Sequence, residues 1–510
     1  MTNRTANCSV ETFRTTSLSL PRAFGRAISC LGSASSAVKN SCGFPGVILV
    51  GVLVAGCASF QAKPISEKLS LAGFESRTLN DPGLQQYLDA HRSSLVRPSP
   101  PKAWDLPMLT LAAFYYHPDL DVARAQWSVA KAKIVTAGAT PNPTFSFTPQ
   151  YNVNAVGGLS PWTLGAVLNI PIETAGKRGY RVRQAEQLSD AARLDIAGIA
   201  WRVRSGVRAE FVNLYAAQEQ QKLLAGQQTI QERVVEVLQR RLQAGEASQP
   251  EVTLARLALD HTRLALEDAR RRQGEAQAGL AQGLGLPATV LKDVNLSFDG
   301  LEGPLPNLPA PDVRQHALVT RPDVLAALAR YAATQSALQL EIARQYPDLS
   351  LGPGYTWDQG ARKWSVGISL TLPLFNQNQG PIAEAEAGRE EAAARFTALQ
   401  VQVVGEIDQA LASYSHVLVK LQVADRLLVG ARRQRQSAQA QFAVGETDRL
   451  ALLGAEQELA ASALARLDTL IQAQQALGFL ENAVEVPLQA SGVLAERFSE
   501  RPRQHQEPME

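Results

Sequence analysis

The sequence predicts a mainly α-helical protein that also contains membrane β-strands and that is built from two copies of one unit. Three observations predict this fold: a helix-favouring composition, landmarks that recur at a nearly constant spacing, and long stretches without proline. Ala, Gln, Leu, Glu and Arg dominate the later two-thirds of the chain, and these residues favour helices. Composition, repeats and proline-free stretches therefore predict the fold class without any single motif.

Composition and charge also exclude one class of partner. The 510 residues carry a formal net charge of only +2, and 6% of them are aromatic. No basic face is large enough to indicate a nucleic-acid partner, because the arginines are scattered as on solvated helix surfaces.

An apolar run over residues 47–55 follows a segment with several basic residues. The run is too short to span a bilayer, which needs about 20 residues, and it fits the core of an export signal. Residues 54–57, Val-Ala-Gly-Cys, resemble the lipobox of bacterial lipoproteins, and an ordinary signal peptide is the alternative. The resemblance implies cleavage of residues 1–56, lipid on Cys57 and, because Ala58 follows, sorting to the outer membrane.

The cysteines agree with this interpretation. All four lie at or before the predicted cleavage point: Cys8, Cys30, Cys42 and Cys57. The mature chain would keep one cysteine, which would carry the lipid. We therefore expect no disulfide framework, no thiolate metal site and no cofactor apart from that lipid.

The duplication is visible as repeated landmarks. The segment 117–120, His-Pro-Asp-Leu, matches Arg-Pro-Asp-Val at an offset of 204 residues, and Pro143 matches Pro347 at the same offset. The strand end at 168–172 matches 370–374 at an offset of 202, and the Gly turn at 244–246 recurs at an offset of 200. Such a small drift over this distance predicts two homologous copies.

Each copy contains two predicted strands, near 143–156 and 160–172 in the first and near 347–358 and 362–375 in the second. In the last strand, apolar residues from Trp364 to Leu372 alternate with small polar ones, which is the period of a strand with two different faces. The strand lengths suit a tilted membrane-spanning strand. Aromatic residues near the strand ends are predicted to form an interfacial girdle: Tyr151, Trp162, Tyr355, Trp357 and Trp364.

Two very long helices follow the strand pairs. Residues 177–243 contain no proline, and none occurs between Pro381 and Pro487. Apolar residues recur in steps of four and three from Val403 to Leu421, which predicts a coiled-coil seam. A helix of about 65 residues is roughly 100 Å long, a length that a compact domain does not need and that a structure crossing the periplasm does.

Four strands are too few to close a barrel in lipid, because single-chain barrels begin at about eight strands. An open sheet edge would leave backbone groups unpaired in hydrocarbon. The strand count therefore predicts an oligomer.

The order of elements, the duplication, the Ile170-Pro171-Ile172 and Leu372-Pro373-Leu374-Phe375 strand ends and the Gly turns resemble the TolC family of outer-membrane efflux ducts. The resemblance covers roughly residues 105–485. It implies a homotrimer with a twelve-stranded barrel that continues into a long α-helical coiled-coil barrel in the periplasm.

This interpretation divides the chain into a signal peptide, two repeats and their connecting segments. The predicted boundaries are 1–56 for the signal peptide, 57–104 for a periplasmic linker, 105–286 for the first repeat (strands about 143–172, long helices about 177–285), 287–310 for an inter-repeat linker, 311–485 for the second repeat (strands about 347–375, long helices about 381–482) and 486–510 for a tail.

The resemblance also implies where the duct meets its partner. The Gly turns between the long helices would form the periplasmic entrance and dock an adaptor protein, with plain helix ends as the alternative. The residues implied in docking are Gly245, Glu246, Phe442, Val444 and Gly445.

Acidic residues at these turns are candidates for a constriction that concentrates cations. The family pattern has aspartates at the sixth and ninth positions after the second Gly, where this chain has Ala451 and Gly454. Arg449 is a candidate partner for an acid across a protomer boundary. The candidate constriction therefore comprises Glu251, Glu446, Asp448 and Arg449, and solvated surface charge is the simpler alternative.

No enzyme motif is present among the phosphate-binding, zinc-protease and serine-hydrolase patterns, and the histidines are isolated. We expect a passive, lipid-anchored outer-membrane exit duct of a tripartite efflux system, with a periplasmic adaptor and an inner-membrane transporter of the RND or ABC type. The first turn, 245–252, resembles the heavy-metal branch. The alternatives are the duct of a type I protein secretion system and a lipid-anchored coiled-coil scaffold without a pore.

Overall fold

The computed structural model describes residues 60–91, 103–307 and 313–488. The chain divides into two units, residues 1–67 and residues 68–510. Every strand and every described helix except the first lies wholly within the second unit, so the architecture is that of this unit.

Eleven α-helices and four strands make up the described part of the chain. In chain order they are α1 (Glu67–Glu75), α2 (Pro82–His91), α3 (Leu106–Tyr116), α4 (Pro118–Ala137), β1 (Thr144–Tyr151), β2 (Trp162–Ile172), α5 (Lys177–Gln243), α6 (Gln249–Leu284), α7 (Asp299–Glu302), α8 (Val313–Thr320), α9 (Pro322–Ala343), β3 (Leu349–Asp358), β4 (Ala361–Leu370), α10 (Gln379–Ala443) and α11 (Arg449–Val484).

The predicted duplication is confirmed by this order. Each copy has a medium helix, two strands, a very long helix and a shorter returning helix. The medium helices α4 and α9 both start at a proline, Pro118 and Pro322, which suits the first helical position because its missing N–H has no partner there in any case. The same local chemistry therefore starts the same element twice.

The four strands form one antiparallel sheet in the order β1-β2-β3-β4. The central pair, β2 with β3, joins the first copy to the second, with Gly165 opposite Thr356. The sheet therefore belongs to the whole chain rather than to either copy, and β1 and β4 lie at its edges.

Two strands end earlier than the sequence pattern predicts. β1 ends at Tyr151 because a turn follows at once, in which the Asn154 N–H donates to Asn152 Oδ1 at 3.0 Å. β4 ends at Leu370, which pairs with Leu349, the first residue of β3. Beyond that point the neighbouring strand has ended, and the apolar alternation up to Leu372 continues without a ladder.

The long helices α5 and α10 contain 67 and 65 residues, and the apolar residues of the predicted seam are buried or partly buried. Val207 and Ile407, at an offset of 200, are both fully buried. Among the described residues, no helix combines the length and the apolarity needed to cross a membrane.

Two apolar clusters anchor the connecting segments to the long helices. In the first cluster, Phe298 packs against Phe211 with their ring centroids 4.7 Å apart. In the second, the buried Tyr414 donates a hydrogen bond from its hydroxyl to the Pro306 carbonyl at 2.6 Å. The segment between the copies is therefore held against α5 on one side and against α10 on the other.

A buried polar network joins α5 of the first copy to α11 of the second. The Arg208 guanidinium donates to the Gln474 backbone carbonyl at 2.6 Å and to its side-chain oxygen at 2.9 Å. Arg204 donates to the fully buried Glu481 carboxylate at 2.9 Å. Gly478 leaves room for this network, because a Cβ there would lie 2.6 Å from an Arg208 nitrogen.

Candidate functional site: the turns of the two helical hairpins

The two turns that join the long helices have the same backbone. Gly245 and Gly445 both have φ of +79°, in the left-handed region that glycine adopts without steric cost. The N–H of Glu246 donates to the Arg241 carbonyl at 2.7 Å, and the N–H of Glu446 donates to the Gln441 carbonyl at 2.9 Å. Each helix thus ends in a Schellman motif, which explains the glycine at this place in both copies.

The returning helices start with different caps. The Ser248 N–H donates to the Glu251 carboxylate at 2.8 Å in a capping box. In the second copy, Asp448 Oδ1 accepts from the Ala451 N–H at 2.8 Å. Glu251 and Asp448 therefore both stabilise helix ends, and their place at a constriction stays a prediction.

An ion pair connects the two turns. An Arg241 guanidinium nitrogen lies 2.7 Å from Asp448 Oδ2, and both side chains are partly exposed. The hydrogen bond from the Ala451 backbone, together with Arg241, lowers the pKa of Asp448 below its usual range. The carboxylate is therefore charged throughout the neutral range.

Sequence reasoning missed Arg241 as a site residue. It considered Arg449 as the partner of an acid across a protomer boundary, and that contact stays a prediction. The signal was present in the duplication, since Gln441 occupies the place of Arg241 in the second copy. Because the arginine is present in only one copy, it indicates a contact that only one of the two turns makes.

The remaining turn residues are accessible. Glu246 and Glu446 are exposed, Phe442 is 38% exposed and Val444 is 71% exposed. An apolar pair on an exposed helix end suits contact with another protein. Docking at these residues stays a prediction.

The predicted girdle residues form two equivalent ring contacts. Tyr151 faces Trp162 across β1 and β2 at a centroid distance of 5.0 Å, and Tyr355 faces Trp364 across β3 and β4 at 4.9 Å. Trp357 lies opposite Leu164 on the same part of the sheet. The aromatic side chains gather towards one end of the sheet, and their contact with a membrane interface stays a prediction.

Two further predictions concern the anchor and metals. Cys57 and the predicted signal peptide lie outside the described residues. Within the described ranges, no group of three or more His, Cys, Asp or Glu side chains is arranged to hold a metal ion.

A duplicated chain with a four-stranded sheet, paired long helices and matching Gly turns defines the class of outer-membrane export ducts. A sequence profile described as outer membrane efflux protein matches residues 112–286 and 313–484. The chain belongs to the outer membrane efflux protein family.

Two curated relatives have related sequences. The cobalt-zinc-cadmium resistance protein CzcC of Cupriavidus metallidurans is 28% identical over 361 residues, which cover 70% of this chain and 84% of that protein. The pyoverdine export outer membrane protein OpmQ of Pseudomonas aeruginosa is 26% identical over 367 residues, covering 67% of this chain and 75% of that protein.

Solved structures show the same fold. The channel protein CusC superposes with a TM-score of 0.62 at 18% identity, covering 78% of this chain and 100% of that one. The outer membrane protein VceC of Vibrio cholerae superposes with a TM-score of 0.61 at 20% identity, covering 75% and 96%. The predicted duplicated TolC-type fold is confirmed.

The predicted function and location are confirmed at the level of the family. The protein is an outer-membrane channel of a tripartite efflux system that extends into the periplasm, and it works as a homotrimer with a periplasmic adaptor and an inner-membrane transporter. The family and its relatives are channel proteins, which favours the duct over the pore-free scaffold.

Proposed function

We propose that this duct exports divalent transition-metal cations. The observation that carries the proposal is the similarity to a cobalt-zinc-cadmium resistance protein, which extends over 84% of that relative. The inner-membrane transporter and the adaptor would deliver the cations to the turns between α5 and α6 and between α10 and α11. The duct itself would be passive, without a cofactor and without catalytic activity.

The charges at the turns suit such a cargo. Glu246 and Glu446 are exposed at equivalent places, and Asp448 adds a third carboxylate to each protomer. Threefold symmetry would bring the copies of each carboxylate to the same level of the entrance. A ring of like charges raises the local concentration of the opposite ion, so this entrance would favour cations over anions.

Arg241 gives the entrance a contact that has to change when the duct opens. It holds Asp448 at 2.7 Å and so ties the first turn to the second within one protomer. An adaptor that docks on Phe442 and Val444 would act within a few residues of this pair. We propose that docking separates Arg241 from Asp448 and frees the carboxylate towards the passage.

A second candidate cargo is an iron-chelating organic molecule. The similarity to a pyoverdine export protein, at 26% identity over 75% of that relative, favours it. A large organic cargo would gain little from the carboxylates at the turns. Their neutralisation therefore separates the two candidates.

The test is a gene deletion in the native host, followed by growth on cobalt, zinc and cadmium salts and, separately, in iron-limited medium. We expect hypersensitivity to the metals, restoration by the wild-type gene and weaker restoration by the E246Q/E446Q double variant. The matched control is D121N, which neutralises an exposed acid on α4, far along the chain from the turns. A deletion that leaves metal tolerance unchanged and impairs only siderophore release would replace the first candidate with the second.

We also propose that Cys57 carries the lipid anchor. The support is the Val-Ala-Gly-Cys sequence at the end of an apolar run. Labelled palmitate should enter the wild-type protein and should not enter C57S. Equal labelling of both proteins would remove the anchor from the proposal and leave the duct untouched.

A further inference from the structure

Two of the four long helices lack a second long neighbour. Within the described part of the chain, α5 packs along both α6 and α11, and these contacts run nearly the length of the shorter helices. In contrast, among the described long helices α6 packs along α5 alone, and the half of α10 nearest the turn packs along α11 alone. By the duplication, α10 corresponds to α5 and α6 corresponds to α11, so the contact that α5 makes with α11 has no counterpart within the chain.

The unpaired sides of both helices carry exposed apolar residues. On α10 the exposed residues include Val423 and Val429, and on α6 they include Leu257 and Leu264, which are 52% and 69% exposed. Leu257 and Leu264 are one heptad apart. They lie across the helix from Val252, Leu259 and Leu266, the buried residues on the side that packs against α5.

The equivalent residues of the other copy are covered, because there the chain itself supplies a neighbouring helix. At an offset of 200, Val423 corresponds to Leu223 and Leu264 corresponds to Leu464. Leu223 and Leu464 are both partly buried and pack against the apolar clusters at the contact of α5 with α11. We call this contact the internal seam. An equivalent neighbour is therefore missing from α10 and from α6.

The register of the internal seam can be transferred. In it, Arg208 lies against Gly478, and the two helices are antiparallel. The duplication turns this contact into Asp408 against Ala278. Counting equal steps towards the turns along both helices then brings Val429 opposite Leu257 and Arg426 opposite Asp260, and it brings Val423 to within one residue of Leu264.

We propose that α10 of one protomer packs antiparallel along α6 of the next in this register, with Val423 against Leu264, Val429 against Leu257 and Arg426 beside Asp260. We call this contact the subunit seam. The subunit seam rests on the homotrimeric duct, and its two helix surfaces close the ring of three protomers.

Charge complementarity supports the same register. Arg426 is exposed and forms no ion pair among the described residues. Asp260 is 63% exposed and pairs only with Arg263, one turn along its own helix. At the matching places the internal seam has Gly226 and Ala460, so this charge pair belongs to the subunit seam alone.

The internal seam has its own charges in a different place. Its Arg208 and Glu481 correspond to Asp408 and Ala281 in the subunit seam. If a helix of the internal seam paired with a helix of the subunit seam, the buried Arg208 or Glu481 would therefore lack its partner. Such a mismatch disfavours incorrect closure of the ring.

The duplication also predicts a contact between protomers nearer the sheet. Within the chain α9 packs along α5, and Arg330 pairs with Asp195. The duplication turns this contact into α4 of one protomer along α10 of another. On α4, Val122, Val129 and Val135 are exposed. The subunit seam thus continues from the turns to the sheet.

The test is disulfide trapping in the full-length trimer. Cysteines at 423 and 264 should bridge neighbouring protomers on mild oxidation, because a disulfide needs Cα atoms about 4.4–6.8 Å apart. We expect bands at two and three times the monomer mass for V423C/L264C. The controls are each single variant and V423C/L257C, which is out of register by one heptad. Mixed light and heavy isotope labelling shows whether the bridge joins two chains.

Each outcome decides something definite. Bridging by V423C/L257C instead, or bridging within one chain, overturns the register. A conducting trimer in which V423C/L264C does not bridge overturns the subunit seam and leaves the duct intact. A protein that is neither trimeric nor conducting overturns the duct as well.

Charge reversal gives an independent readout. R426E should lower the temperature at which the trimer dissociates, and adding D260R to the same chain should restore it. A dissociation temperature that R426E leaves unchanged, or that the second reversal fails to restore, contradicts the ion pair.

Discussion

Arg241 and Gln441 occupy the same place in the two copies, and this one difference decides which turns are tied together. Arg241 reaches Asp448 at 2.7 Å across the contact of the two hairpins in one protomer. Under the operation that generates the subunit seam, the same contact would join Gln441 to Ser248 of another protomer, without charge. The turns are therefore held more firmly within a protomer than between protomers.

Removing this ion pair should make the duct easier to open. D448S keeps a helix cap, because serine caps well and stands at this place in the first copy, but it removes the charge. An exposed ion pair contributes about 0.2–1 kcal/mol, and a trimer has three. We expect a larger conductance in planar bilayers for D448S and for R241A.

The control for these variants is Q441A, which changes the equivalent residue in the second copy and should leave the conductance unchanged. The pKa of Asp448 is lowered, so the pair persists above the usual pKa of an aspartate and is lost only as the pH falls through the lowered value. The conductance of the wild type should therefore be constant from neutral to mildly acidic pH. A rise over that range, or wild-type conductance in both variants, would contradict the assignment.

The charged form of Glu485 destabilises the folded protein. It ends α11 with φ of +52°, close to Asp323, Glu406 and Arg321. Burial, and then the charge of Asp323, raises the pKa of Glu485 to about 7, while Arg321 opposes the shift. An acid whose pKa is raised by folding destabilises the folded state once the pH exceeds its unfolded pKa, and the cost is complete above about 7.

E485Q should therefore stabilise the protein at pH 8 and leave it unchanged near pH 4.5. The side chain is only partly buried, so we expect about 1–2 kcal/mol after allowance for solvent screening. The measurement is the thermal unfolding midpoint at the two pH values. E458Q, an exposed position on the same helix, is the control. A gain of equal size at both pH values would show that the charge of Glu485 is not the cause.

At the scale of elements, the contact of α5 with α11 carries the most buried charge among the described helices. Glu481 is fully buried, Arg208 is 3% exposed, and their closest charged atoms lie 3.4 Å apart. Removing one member of a buried pair typically costs about 3–5 kcal/mol, because the other charge is left in a poorly solvated place. Glu481 keeps Arg204, so the lower end of this range applies.

R208M should accordingly lower the unfolding midpoint at neutral pH, while R193M should change it little. Arg193 is the matched control because it lies on the same helix but its side chain is 57% exposed. Thermal unfolding followed by circular dichroism measures both. Equal losses for the two variants would mean that helix disruption, rather than the buried pair, dominates.

The elements were predictable to different degrees, for physical reasons. Local chemistry gave the helix starts at Pro118 and Pro322 and the turns at Gly245 and Gly445, because these residues act on their own backbone. Strand ends were less predictable: the alternation continues to Leu372, but the ladder ends at Leu370 because its partner strand begins at Leu349.

Long-range partners were the least predictable part of the candidate site. Arg241 and Asp448 are 207 residues apart, and no local pattern connects them. Glu251 looked like a free acid in the sequence, although Ser-x-x-Glu before a helix also indicates a capping box. Periodicity predicts which side of a helix is apolar, but it does not specify which helix covers that side.

At the scale of the whole molecule, duplication would make one chain present two kinds of seam, and the proposed entrance lies where both seams reach the turns. Six hairpins of a trimer would then place Glu246 and Glu446 alternately around the passage. These carboxylates form no ion pair among the described residues, so their charge is available to ions in solution. A ring of six such groups should favour cations by electrostatic attraction, most strongly at low salt.

The cation preference of the duct should therefore fall in E246Q/E446Q. With a gradient of potassium chloride across a planar bilayer, we expect the reversal potential of this variant to move towards zero, and the effect should shrink as the total salt rises above about 0.1 M. D121N, on α4, should behave like the wild type. An unchanged reversal potential in E246Q/E446Q would place the selectivity of the duct elsewhere along its length, while a conducting trimer in the same experiment would still support the duct itself.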